Sequence, residues 1–174
     1  MTGSPNGRVI VRLVLVLVTF VVVGAVAGVV WEWVWTPPTG VSVEGEWYLD
    51  AEGVQDDFSG TGLYVLVAVV TGAVLGLASA LSAPSHELVT LAVVAAGSLA
   101  AGWVMAFIGS ALGPPDPRPL AERLDDYTAV PADLRVVGTA PYAAFPAGAL
   151  TALTACFVGL DGSRRSRLDR EPDG

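Results

Sequence analysis

Along this chain, apolar residues gather in long blocks, and most of the polar residues lie between them. Leu13 to Trp31 (LVLVLVTFVVVGAVAGVVW) runs for 19 residues without a charge, with Arg8 and Arg12 before it and Trp31, Trp33 and Trp35 at its far end. At 1.5 Å per residue, a helix needs roughly 20 apolar residues to cross a bilayer. Arginines snorkel to the headgroups, and tryptophans settle at the interface. The block predicts a transmembrane helix over about 9–35, stopped by Thr36-Pro37-Pro38, since proline cannot continue a helix and restricts its predecessor. Three further blocks predict spans over about 62–81, 88–112 and 138–160.

A rival reading of the first block is a cleaved signal peptide, with Ala25-Val26-Ala27 as its A-x-A site. The apolar run continues past that site and exceeds the roughly 7–15 residues of a signal peptide's core, so retention as an anchor is expected. Residues Met1–Gly7 are small and polar and are expected to be disordered.

The segments between spans carry their own patterns. In the first outer loop, residues 36–61, Val41, Val43, Trp47 and Leu49 alternate with polar neighbours around Glu44-Gly45, which reads as a short hairpin. Ser82-Ala83-Pro84-Ser85 reads as a tight turn, with Ser85 capping the next helix and Glu87 at its positive end. In the second outer loop, residues 113–137, Asp116-Pro117 forms a helix start, and Leu120, Leu124 and Tyr127 recur at helical spacing. That predicts a short amphipathic helix. In the fourth span Pro141 falls in the opening turn, whereas Pro146 is expected to kink the helix. The tail, 161–174, is polar.

The expected fold is therefore an all-α membrane bundle of four transmembrane helices, a single membrane domain over 1–174 with two extracytoplasmic loops. Counting bases beside the spans orients it. The N-terminus and tail hold six arginines and the two outer loops hold three, which places both termini in the cytoplasm. An internal echo accompanies this plan. Spans one and three carry tryptophans and are followed by Pro-Pro, and spans two and four open with Thr61-x-x-Tyr64 and Thr139-x-x-Tyr142. Two parallel helical hairpins would produce such a pattern, as would coincidence among apolar segments of low complexity.

Composition agrees with lipid as the main solvent: 53% hydrophobic and only 15% charged, against the roughly 25% charged residues of soluble domains. The net charge is −8, and Glu44, Glu46, Asp50, Glu52, Asp56 and Asp57 crowd the first loop without a base, which argues against nucleic acid as a partner. Those acids lack the D-x-[DN]-x-[DN]-G order of a dedicated Ca²⁺ loop, so they read as a solvated face. The lone cysteine, Cys156, excludes an internal disulfide, and the lone histidine, His86, has no neighbouring ligand for a metal.

The remaining candidates are few. Gly24 and Gly28, Gly72 and Gly76, and Gly97 and Ala101 recur at four-residue spacing, which lets helix backbones approach within the bundle or across a homodimer face. Glu32 is the one acid inside an apolar block; it reads as an interfacial, solvated carboxylate, with a proton or cation role as the alternative. Midplane hydroxyls are limited to Thr19, Thr71, Ser98, Thr151 and Thr154. No nucleophile–base motif, phosphate loop or cofactor fingerprint occurs, so no enzyme, catalytic residue or cofactor is expected.

Three stretches, GAVAGVVWEWVWTPP (Gly24 to Pro38), DAEGVQDDFSGTGLYVLVAVVTGAVLG (Asp50 to Gly76) and VPADLRVVGTAPYAAFPAGAL (Val130 to Leu150), resemble a family of small actinobacterial integral membrane proteins of unknown function. The resemblance covers nearly the whole chain. It implies four spans and a plasma-membrane location, and it carries no site residues. The expected role is a non-enzymatic scaffold or accessory subunit that meets membrane lipids and a membrane-protein partner or a second copy of itself. The alternative is a small transporter or channel built from the two hairpins.

Overall fold

The computed structural model describes residues 5–49, 58–82 and 87–168. Four helices are each long and apolar enough to cross a membrane. They are α1 (Pro5–Val34), α2 (Ser59–Ser82), α3 (Glu87–Leu112) and, after a short helix α4 (Arg118–Ala121), α5 (Ala144–Leu168). α1 starts inside the stretch expected to be disordered, and α5 runs past the expected end near 160. The Ser82–Ser85 turn, apart from Ser82 itself, and His86 lie outside the described residues, as do Asp50, Glu52, Asp56, Asp57 and Arg170.

Helices adjacent in sequence are not the ones packed most closely. α1 lies along α3, and α2 lies along α5, each pair parallel. The reason is where the small residues fall. A Cβ on Gly24 would stand 2.6 Å from the Ala101 carbonyl oxygen, and one on Gly28 would stand 2.6 Å from that of Met105. In the second pair, Cβ atoms on Gly72 and Gly76 would run into the carbonyl oxygens of Phe145 and Ala149. Where lipid supplies no hydrophobic drive between helices, such close backbone approach and its dispersion contacts are the main source of association.

At one end of the bundle the two long connections fold together. Strands β1 (Thr39–Val43) and β2 (Glu46–Leu49) form an antiparallel hairpin in which Val43 faces Glu46. Its two-residue turn places Glu44 at φ 53° and Gly45 at φ 77°; positive φ at both central positions matches the right-handed twist of the strands. The second connection then contributes β3 (Ala129–Pro131), which pairs antiparallel to β1 and gives the order β2-β1-β3. The alternation grouped Val41 and Val43 with Trp47 and Leu49, but the register puts them on opposite faces. Gly40 and Ser42 are the buried positions of β1 because they lie opposite Leu49 and Trp47, and the Trp47 ring lies so close over Gly40 that a Cβ there would be 2.5 Å from it.

The amphipathic helix expected through Leu120, Leu124 and Tyr127 is confined to one turn. The Asp116 carboxylate accepts the Arg118 N–H at 3.0 Å, as a helix start should, but the chain leaves the helix after Ala121. Arg123 and Leu124 donate three residues back, and Tyr127 then takes φ 65°, turning the chain into β3. Backbone pairing with β1 overrides the helical period. Leu120, Leu124 and Tyr127 are all exposed.

Candidate functional site

The platform made by the sheet and α4 is fixed to itself and to the helices by hydrogen bonds between residues far apart in the chain. Ser42, fully buried, donates its hydroxyl to the Ala121 carbonyl at 3.0 Å. The Glu44 N–H donates to the Asp126 carboxylate at 2.8 Å, and the Trp47 indole N–H to the Val130 carbonyl at 3.1 Å. Beneath the platform the Trp31 indole N–H donates to the Gly60 carbonyl at 2.8 Å, and the Trp35 indole to the Ser59 hydroxyl at 3.3 Å. The Val137 N–H donates to the Thr61 hydroxyl at 3.1 Å. On the outer surface, the Tyr48 hydroxyl donates to the Glu46 carboxylate at 2.5 Å. That bond, followed by the carboxylate's charge, raises the Tyr48 pKa above its ordinary value near 10.

The two halves of the sequence echo meet under this platform. Trp31 packs edge-on to Tyr64 at 5.2 Å between ring centroids, Tyr64 contacts Tyr142 at 5.9 Å, and Tyr142 stacks on Trp103 at 4.5 Å. Each hairpin thus supplies one tryptophan and one tyrosine, and the tyrosines meet in the middle. The match is incomplete in its environment: Trp31 is 0% exposed and Trp103 is 62% exposed. Tyr64 donates to the Gly102 carbonyl at 2.9 Å, so this buried hydroxyl is satisfied.

The opposite end of the bundle is open. A cavity of about 390 Å³ lies between α1, α2 and α3. Phe20, Leu75 and Val94 form its inner part, Arg12, Ser82 and Val89 stand toward its mouth, and Thr19, Ser79 and Thr90 lie along its walls. Thr19 donates its hydroxyl to the Leu15 carbonyl at 2.8 Å, Ser79 to Leu75 at 2.7 Å and Ser82 to Ala78 at 2.8 Å. These three hydroxyl donors are therefore occupied within their own helices.

Other candidate residues fall as follows. Gly24, Gly28, Gly72 and Gly76 sit at helix contacts inside the bundle, Gly97 lies against the Phe20 ring, and Ala101 is buried opposite Gly24. Glu32 is half-buried beside Trp33, itself 81% exposed. Pro146 stands in the first turn of α5, just after a 3-10 turn over Ala140–Ala143, so the change in helix type falls ahead of it. An N–H has no intrahelical partner in a first turn, and proline is tolerated there. Of the midplane hydroxyls, Thr19 lines the cavity; Ser98 is buried and donates to Ala95 at 3.0 Å, while Thr151 and Thr154 face outward. Cys156 is a half-buried free thiol.

The platform bonds and the cavity were not legible as sites in the sequence. Ser42 and Ala121 are ordinary residues 79 positions apart. Arg12 was legible as a flanking base, but nothing in the chain marks the space beside it. Comparison with family models, curated proteins and solved structures finds no match for the chain.

Proposed function

We propose that the chain is a multi-pass plasma-membrane protein of the actinobacterial type it resembles, with cytoplasmic termini, acting as a non-enzymatic scaffold or accessory subunit through its extracytoplasmic platform. The observation that carries this reading is the joint folding of the two long connections. Helix–helix connections in bundles need about 2–8 residues. Here two much longer segments build one sheet, tied by hydrogen bonds between positions about 80 residues apart. Chain ordered at that entropic cost on one face, and anchored to the helices through Trp31 and Trp35, supports a contact surface there.

A photo-crosslinker placed at Tyr127, 78% exposed, tests the contact role in intact membranes. Recovery of one specific partner, or of a second copy, is expected, and absence of any specific adduct overturns the reading. Tags at both termini, probed from each side of the membrane, test the orientation. The alternative, a small transporter of two hairpins, draws support from the parallel pairing of α1 with α3 and α2 with α5. It is disfavoured by a cavity that reaches Thr19 but none of the other four midplane hydroxyls.

A further inference from the structure

The cavity between α1, α2 and α3 has the shape and polarity of a site for one lipid tail. From Arg12 to Phe20 it extends along α1 for eight helical rises, about 12 Å, most of the roughly 15 Å of one leaflet's hydrocarbon. Its volume of about 390 Å³ lies within the roughly 300–1,000 Å³ of small-molecule sites. The inner end is Phe20, Leu75 and Val94, and the hydroxyl donors of Thr19, Ser79 and Ser82 are spent on their own helices. A polar solute would find little to bind there. At the mouth, Arg12 has neither a hydrogen bond nor an ion pair to any described residue. A cation at headgroup level with no partner among the described residues is complementary to a phosphate.

From this juxtaposition we infer that the cavity holds an acyl chain of an anionic phospholipid whose phosphate is bound by Arg12. The inference rests on the membrane reading above. Net charge across the molecule fits the assignment. Among the described residues, segments 32–49 and 113–138, at the platform end, hold eight acids and three arginines, so repulsion of an anionic headgroup is strong at the end away from the cavity.

The test uses the full chain purified in detergent and mixed with equal amounts of dioleoyl phosphatidylglycerol and dioleoyl phosphatidylcholine, with retained lipid read by native mass spectrometry. The two lipids share their tails and differ in headgroup charge. Phosphatidylglycerol is expected to be retained about fivefold over phosphatidylcholine, the worth of one arginine near a charged headgroup. Arg12→Gln is expected to abolish that preference, and Ala78→Phe to reduce retention of both lipids. Ala78 is exposed and lines the cavity, so the added ring enters open space. Val93→Phe, another cavity-filling change, replaces it should Ala78→Phe lower the melting temperature. Equal retention of the two lipids overturns the assignment. So does a preference that survives Arg12→Gln, or lipid binding untouched in a folded cavity-filling variant. A chain that stays in the supernatant after high-speed sedimentation overturns the membrane reading instead.

Discussion

The two ends of this bundle are built from similar apolar helices, yet one is closed and the other is open. At the platform end Trp31 is 0% exposed; its ring lies on Tyr64 and its N–H on Gly60, and a Cβ on Gly109 would run into the ring. At the other end the corresponding space between α1, α2 and α3 is the cavity flanked by Arg12 and Phe20. Large aromatic side chains with a satisfied polar atom can fill the gap between helices that glycine and alanine do not bring together. The upper end has four aromatic rings in series, of which Trp31 and Tyr64 are buried with their polar atoms satisfied, whereas the lower end, beyond Phe20, is lined mainly by valine, leucine, serine and threonine. Tight closure here is a property of side-chain volume placed at the helix crossings, and hydropathy alone does not distinguish the two ends.

Trp31 is the residue on which that contrast turns. Trp31→Ala is expected to lower unfolding stability by about 3–5 kcal/mol, the range for removing a large buried aromatic. Trp31→Phe keeps a ring but removes the indole donor from the Gly60 carbonyl, an expected loss of about 0.5–1.5 kcal/mol. Val16→Ala, at the open cavity, is expected to cost less than about 1 kcal/mol, since its neighbour is already empty space. Denaturant titration followed by circular dichroism in detergent measures all three. Equal losses at Trp31 and Val16 would mean that the two ends are packed alike in solution.

The helix pairs can be broken separately. A Cβ on Gly76 would meet the Ala149 backbone, with the carbonyl carbon and Cα both 2.8 Å away, whereas one on Gly62 would meet nothing within 4 Å. Gly76→Val should therefore force α2 and α5 apart at about 1–3 kcal/mol. Gly62→Ala in the same helix should be neutral or stabilising by up to about 1 kcal/mol through helix propensity. The same titration compares them, and a Gly76→Val chain as stable as wild type would rule out the close α2–α5 crossing.

Within the platform the expected effect is smaller. Ser42→Ala leaves the Ala121 carbonyl without its hydroxyl donor at a buried position, worth about 1 kcal/mol. The loss should appear as faster amide hydrogen exchange in β1 and β3, with the exchange of α1 and α3 unchanged. Uniform acceleration along the whole chain would show that the platform does not open on its own.

The same two ends explain what could be read from the sequence. The four apolar blocks are legible because length and composition suffice to mark them, and they became the four long helices. Glu44-Gly45 is legible because positive φ at a two-residue turn asks for glycine. The strand Ala129–Pro131 is not legible: three residues carry no period, and their pairing is decided by β1, about 90 positions earlier. The same pairing ends α4 at Ala121, which the helical spacing of Leu120, Leu124 and Tyr127 could not foretell. Gly24, Gly28, Gly72 and Gly76 announce close approach but not their partners, since any small face fits another. The cavity is the least legible of all, because it arises from how helices diverge and no residue pattern encodes a divergence.

The smallest expected effect lies on the outer face of β2, where Tyr48 donates to Glu46 two residues away. The carboxylate holds the phenol proton more firmly in the folded chain than in the unfolded one, so the Tyr48 pKa lies above its ordinary value near 10. A pKa raised by folding adds stability below that ordinary value, and the contribution is lost as the pH climbs through the higher folded one. The contribution is slight, because the pair is exposed and both groups are well hydrated. Glu46→Gln is expected to bring the Tyr48 titration back toward 10, read as the difference between this variant's ultraviolet tyrosine titration and that of the chain also carrying Tyr48→Phe. Salt should produce part of the same shift by screening the carboxylate. If Tyr48 titrates identically with glutamate or glutamine at position 46, the two side chains are not bonded in solution. The edge of the sheet is then held by the backbone ladder to β1 and by the Trp47 indole bond to Val130.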